Sequence, residues 1–156
     1  MVPAVLRLEW TYPAPPEKIW RLWTTKDGIE AWWPPEGFTA EVHELDLREG
    51  GELRYTFTAT AQPQIEFMQS IGMPLSTTAL KRFSVVEPVR RLAYDSLVDF
   101  VPGMEPYWQA TTIDLAPEGG GTQVVMTTDP LHDDEWTQRL VAGRENELAS
   151  LERVLG

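Results

Sequence analysis

From Phe38 to Asp129 the chain repeats one pattern: short stretches in which apolar and polar residues alternate, each closed by a glycine or proline turn signal. Alternation with period two is what a strand requires when one face packs and the other meets water. The clearest case has Leu53, Tyr55, Phe57 and Ala59 alternating with Glu52, Arg54, Thr56 and Thr58. Just before it, Arg48-Glu49-Gly50-Gly51 is a hairpin signal, because glycine supplies the positive φ that tight turns need. A strand is expected from Phe38 to Leu47, and further ones at Thr77 to Glu87, Arg90 to Asp99, Tyr107 to Ala116 and Thr122 to Asp129. Pro88, Pro102-Gly103 and Gly119-Gly120-Gly121 separate them. The N-terminal stretch, Met1 to Tyr12, also alternates, with Val5, Leu6, Leu8 and Trp10 around Arg7 and Glu9. The expectation is seven strands, mostly in antiparallel succession.

Helical signals flank this series. Pro15-Pro16-Glu17 opens a helix whose apolar side is Ile19, Trp20, Leu22 and Trp23, since proline is tolerated in a first turn and a carboxylate complements the helix dipole there. Lys26-Asp27-Gly28 reads as its break, and a second short helix carries Ile29, Trp32 and Trp33 up to Pro34-Pro35. The segment Gln62 to Pro74 interrupts the strands, and its Ile65, Phe67, Met68 and Ile71 predict one or two helical turns with an apolar side that covers something. A long helix follows Pro130, with Asp133, Asp134 and Glu135 in its first turn and an apolar stripe of Trp136, Leu140, Leu148, Leu151 and Leu155. Glu135 with Arg139 and Arg144 with Glu147 are read as surface pairs, and Gly143 as a site of close helix-to-strand contact. A curved antiparallel sheet needs cover on its concave face, and only the terminal stripe is long enough to cross it.

Composition narrows the functions. With 156 residues the expectation is one domain, residues 1 to 156, with a core large enough to hold a cavity. The absence of cysteine removes disulfides, thiolate nucleophiles and thiolate metal sites, which suits a reducing cytoplasm. A net charge of -11 argues against nucleic acid and against an anionic membrane surface as partners. No run approaches the roughly 18 apolar residues of a membrane span, and the N-terminus lacks the apolar core of a signal peptide. A cytoplasmic location is therefore expected.

Specific residues narrow the fold further. Pro16-Glu17-Lys18-Ile19-Trp20-Arg21-Leu22-Trp23-Thr24, Ile29-Glu30-Ala31-Trp32-Trp33-Pro34, Phe38-Thr39-Ala40-Glu41-Val42 and Asp46-Leu47-Arg48-Glu49-Gly50-Gly51 occur in order. Val86-Glu87-Pro88 with Arg91-Leu92-Ala93-Tyr94 follows, then Glu135-Trp136 with Gly143 and Leu148 to Leu155. Together these resemble the Hsp90-ATPase-activator-homologue family of the START-like, polyketide-cyclase-like (SRPBCC) superfamily. The resemblance implies an α+β helix-grip fold, a curved seven-stranded antiparallel sheet wrapped around a long C-terminal helix. The superfamily includes carriers, hormone receptors and cyclases, so fold does not fix function. The family takes its name from a co-chaperone with a further, N-terminal domain that is not expected in this chain, so ATPase stimulation does not carry over. The segment Gln62 to Pro74 is longer and more apolar than the short hairpin of the general pattern.

Motifs for catalysis are weak. His43 and His132 lack metal-ligand spacing, and the acids after His132 are explained by a helix start. No Gly-x-Ser-x-Gly elbow occurs, and the Gly119 to Gly121 run lacks the Lys and helix of a phosphate loop. Neither a metal, a cofactor nor a catalytic residue is expected; Glu44, Asp95 and Glu147 remain carboxylates for acid-base work if they face inward, and otherwise serve as solvated charges or partners of Arg82 or Arg144. The favoured reading is a small apolar or amphipathic molecule bound in an internal cavity lined by Tyr55, Phe57, Tyr94, Tyr107, Gln109, Trp136 and Leu140, with Phe67 and Met68 closing it. The alternatives are a cyclase, dehydratase or hydrolase using the same cavity, and a protein-interaction module related to co-chaperones; a homodimer fits the exposed aromatics. Trp32 and Trp33 read as core, with one of them able to rim the pocket.

Overall fold

The computed structural model describes residues 5–155 and contains β1 (Leu6–Tyr12), α1 (Pro16–Thr24), α2 (Lys26–Trp32), β2 (Phe38–Leu45), β3 (Glu52–Ala59), α3 (Gln62–Ser70), β4 (Ser76–Glu87), β5 (Arg91–Val98), β6 (Tyr107–Glu118), β7 (Gly121–Thr128) and α4 (Asp134–Leu155). Met1 to Ala4 of the alternating N-terminal stretch lie outside the described residues. The strands form one antiparallel sheet in the order β1-β7-β6-β5-β4-β3-β2. Register shifts at Val42/Glu44 and Phe83/Val85 mark bulges, which bend a strand and increase its twist, so the sheet curves. This is the α+β helix-grip architecture expected from the sequence.

Alternation along each strand sends one set of side chains into the concave face. Leu53, Phe83, Leu92, Ile113, Val124 and Met126 are all buried there, and Leu148, Leu151 and Leu155 of α4 meet them. α4 approaches the sheet most closely at β1 and also packs against α2. Tyr12 Oη donates to the Leu148 carbonyl at 2.7 Å, which fastens the first strand to the last helix. Asp133 begins α4 as expected of an N-cap, its Oδ1 accepting from Trp136 N at 2.8 Å.

Several local expectations need correction. Lys26-Asp27-Gly28 does not break a helix; it is the first turn of α2. The break sits one residue earlier, at Thr25, which is extended (φ -123, ψ 153) and caps α2 by accepting from Gly28 N at 3.0 Å. Gly143 makes no close contact: it is exposed, and a Cβ there would meet nothing within 4 Å. α3 forms where the apolar spacing predicted it, yet none of its residues is buried. The Arg144–Glu147 pair is internal, with side chains only 11% and 16% exposed, because Arg144 sits four residues before Leu148 on the inward stripe.

Candidate ligand site beneath the C-terminal helix

Between the middle of the sheet and α4 the interior changes character from aliphatic to aromatic and polar. Tyr55 comes from β3, Lys81 from β4, Tyr94 and Ser96 from β5, and Arg144 and Glu147 from successive turns of α4. Trp33, at the C-terminus of α2, stacks on Tyr55 with ring centres 5.8 Å apart and meets Tyr94 edge-on at 6.1 Å. Lys81 is 4% exposed and enters the concave face because it is in phase with Phe83, two residues along the same strand. Its Nζ donates to Ser96 Oγ at 2.8 Å and stands 5.0, 5.4 and 5.7 Å from the ring centres of Tyr94, Trp33 and Tyr55. Three aromatic faces around one ammonium favour its charged form.

Two forces act against that charge. Burial, and then the neighbouring Arg144 guanidinium, lower the Lys81 pKa to about 7, with Glu147 opposing the shift. Burial likewise pushes the Tyr55 and Tyr94 hydroxyls well above the ordinary phenol value, so both remain neutral donors. Arg144 donates from Nη1 to Glu147 Oε1 at 2.7 Å. Three buried atoms of this cluster, Tyr94 Oη, Arg144 Nε and Glu147 Oε2, have no hydrogen bond of normal geometry among the described residues, and a fourth orphan, Trp23 Nε1, stands beside Tyr94. Leaving such groups unpaired costs roughly 1–3 kcal/mol each, and more where they are charged.

The expected pocket residues divide between this cluster and its surroundings. Tyr55 and Tyr94 belong to it, and Phe57 packs against Tyr55 at 5.0 Å. Gln109 is buried but committed to the sheet: its Nε2 donates to Thr128 Oγ1 and to the Asp129 carbonyl, both at 2.6 Å. Tyr107 pairs with His132 Nδ1 at 2.8 Å, and His132 leads on to Trp136 and Phe100 in a half-exposed aromatic group. Leu140 and Met68 are half-buried, whereas Phe67 is 60% exposed. Of the three carboxylates, Glu147 alone faces inward; Glu44 is exposed, and Asp95 is half-buried opposite Arg82 in the sheet register. His43 bonds Thr56 Oγ1 on β3, on a different element from His132.

Lys81 and Arg144 are the members not singled out from sequence as site residues; Trp33 read as core, with a place at the pocket rim open to it. A signal existed for both charged residues. Lys81 shares the phase of Phe83, and Arg144 lies midway between Leu140 and Leu148 at helical spacing.

The strands around this interior share one end of the sheet. The end of β3, the start of β4, the end of β5, the start of β6 and the end of β7 all lie there by register, with α3, the β5–β6 loop and the first turn of α4 around them. These segments carry most of the large exposed apolar side chains, namely Phe67, Ile71, Met73, Phe100 and Met104. Two open clefts lie elsewhere. One of about 490 Å³ runs between α2, the start of β2 and the end of α4, and one of about 520 Å³ lies along α1 and α2.

The family described as "Activator of Hsp90 ATPase homolog 1-like protein" matches residues 13–156. The chain belongs to this family. Among solved structures it is similar to protein CV1439 from Chromobacterium violaceum, with 24% identity, 98% of both chains covered and a TM-score of 0.75. It is also similar to an AHSA1-like protein from Aeromonas hydrophila, at 20% identity over 96% of this chain and 90% of that one, with a TM-score of 0.75. Protein Ms6760 from Mycobacterium smegmatis shares 17% identity over 100% and 98% of the two chains, with a TM-score of 0.72. At these identities the likeness speaks for the fold. No curated protein matches the chain. No helix among the described residues is long and apolar enough to cross a membrane.

Proposed function

We propose that this protein binds a small, largely apolar or amphipathic molecule between the sheet and α4, admitted at the end framed by α3, the β5–β6 loop and the first turn of α4. The observation that carries this reading is the set of unpartnered buried atoms, Tyr94 Oη, Arg144 Nε and Glu147 Oε2, inside an aromatic enclosure. Buried polar groups are almost always satisfied, so a cluster of orphans in one place calls for a partner, and the polar group of a bound molecule is one that fits. An apolar enclosure with a few convergent polar groups is the usual make-up of a small-molecule site. The exposed apolar residues of α3 and the β5–β6 loop suit an entrance that closes over an apolar guest.

Native mass spectrometry of freshly purified protein, together with titration of the neutral dye Nile red, tests this. Expected are a co-purified organic molecule or stoichiometric dye uptake, and weaker uptake in Tyr55→Ala and Trp136→Ala. Absence of both signals, or dye binding unchanged in both variants, overturns the reading. Ligand-free dimers in the same spectra would favour a protein-interaction surface instead.

A further inference from the structure

The interior cluster has an unbalanced set of charges. Two cations, Lys81 and Arg144, face one carboxylate, Glu147, and Glu147 is engaged with Arg144 through Oε1 at 2.7 Å. Lys81 has a hydroxyl, Ser96 Oγ, for a partner rather than an anion. Yet the chain as a whole carries a net charge of -11, and the one acidic side chain that acts on Lys81 among the described residues, Glu147, is bonded to Arg144 instead. A buried cation whose nearest carboxylate is engaged elsewhere is expensive, and here it coincides with an unpartnered Arg144 Nε–H and with a Tyr94 hydroxyl that has the Trp23 indole N–H beside its oxygen and keeps its own proton to donate; the remaining orphan, Glu147 Oε2, is an acceptor. Tyr94 is 1% exposed and Arg144 9%, so bulk solvent does not satisfy them. An ammonium, a guanidinium Nε–H and a phenol O–H gathered around one group of aromatic rings are a donor set that suits an oxyanion.

We propose that the molecule bound beneath α4 is an amphipathic organic anion, a carboxylate or its chemical equivalent on an apolar body, whose oxygens are held by Lys81, Arg144 and Tyr94. This rests on the binding reading above and adds the head group to it. The aromatic walls Trp33, Tyr55 and Phe57 take the apolar body, and the head supplies the negative charge that the cluster lacks. Among the described residues, the charged or titratable groups around Lys81 are Tyr55 from β3, Tyr94 from β5, and Arg144 and Glu147 from α4. Among them Lys81 is the group that changes charge near neutrality, so affinity for the anion falls as pH rises through and above that range.

The test uses isothermal titration calorimetry of the full chain with decanoate, decanol and acetate near pH 6, where decanoate is ionised and Lys81 is protonated. Decanoate is expected to bind about tenfold or more tightly than decanol, a difference of about 1.4 kcal/mol or more. Acetate is expected to bind far more weakly than decanoate. Lys81→Met, which conserves volume, and Tyr94→Phe should each reduce the decanoate-to-decanol ratio to within about threefold, and raising the pH to about 9 should reduce it in the wild type. Equal binding of decanol and decanoate overturns the oxyanion head and leaves the proposed binding function standing. Binding of neither overturns both. Acetate as tight as decanoate shows a site for simple carboxylates and overturns the amphipathic class, and a ratio unchanged in both variants removes these residues from the head-group site.

Discussion

The Lys81 ammonium lies 5.0 Å from the centre of the Tyr94 ring, inside the sheet rather than at its surface. A lysine held there is stabilised as a cation by the rings and destabilised by the loss of water and by Arg144, and the second influence prevails, since its pKa falls to about 7. The consequence for stability has a definite sign. Between about pH 7 and about 10.5 the unfolded chain keeps the proton that the folded chain has lost, so stability from this group rises with pH across that window. Below pH 7 the full cost of burying the charge is present. Lys81→Met should therefore raise the melting temperature most near pH 6, and the gain should shrink steadily towards pH 10. Parallel thermal melts of the two proteins across that range check this.

Glu147 neutralises Arg144 in a setting where both are nearly buried. Glu147→Ala is expected to destabilise the fold by about 3–5 kcal/mol, because it strands an uncompensated guanidinium. The double replacement Arg144→Met with Glu147→Leu should recover most of that loss. Urea unfolding of the single and double variants measures both.

Leu148 and Trp136 sit on the same helix in different surroundings. Leu148 is 1% exposed where α4 meets β1, so Leu148→Ala should cost about 2–5 kcal/mol, the sum of lost transfer energy and a residual cavity. Trp136 is half-buried in the rim group with His132 and Phe100, and Trp136→Ala should cost clearly less while weakening Nile red uptake. Denaturant midpoints and dye titrations of the two variants give the comparison.

Thr25 alone separates α1 from α2, and its hydroxyl accepts from Gly28 N while donating to the Arg21 carbonyl at 2.8 Å. Thr25→Ala should destabilise by about 1 kcal/mol, and Thr25→Ser should restore the loss, since serine keeps the cap. Chemical denaturation of both variants is the check.

The sheet was legible because its strands face two media, and period-two alternation records that directly, as Leu53 to Ala59 shows. The closing helix was legible for the same reason at helical spacing. Lys81 and Arg144 were not legible as site residues, because a charged side chain is normally solvated and only the fold reveals the rare one that is not. The boundary between α1 and α2 was misplaced because Gly28 draws the eye as a breaker. Its real role is steric: a Cβ there would come within 2.6 Å of the Arg21 carbonyl and 2.7 Å of the Leu22 Cα, so the two helices pack that closely only with glycine. For Phe67 and Met68 the helix was readable but its orientation was not, since apolar spacing specifies a side without saying what lies opposite.

The pairing of β1 with β7 joins Leu6 to Thr128 and Tyr12 to Thr122, almost the two extremes of the strand series. During synthesis the first strand leaves the ribosome long before its partner exists, while β3 to β7 each find a neighbour in the strand just made. Closing so long a loop is entropically costly, so docking of β1 belongs to the last stage of folding, together with the α4 carbonyl that Tyr12 binds. Until then both edges of β1 are unpaired, and after docking it remains the outermost strand of the sheet; the exposed Arg7 and Glu9 are the charges that discourage it from pairing with another chain.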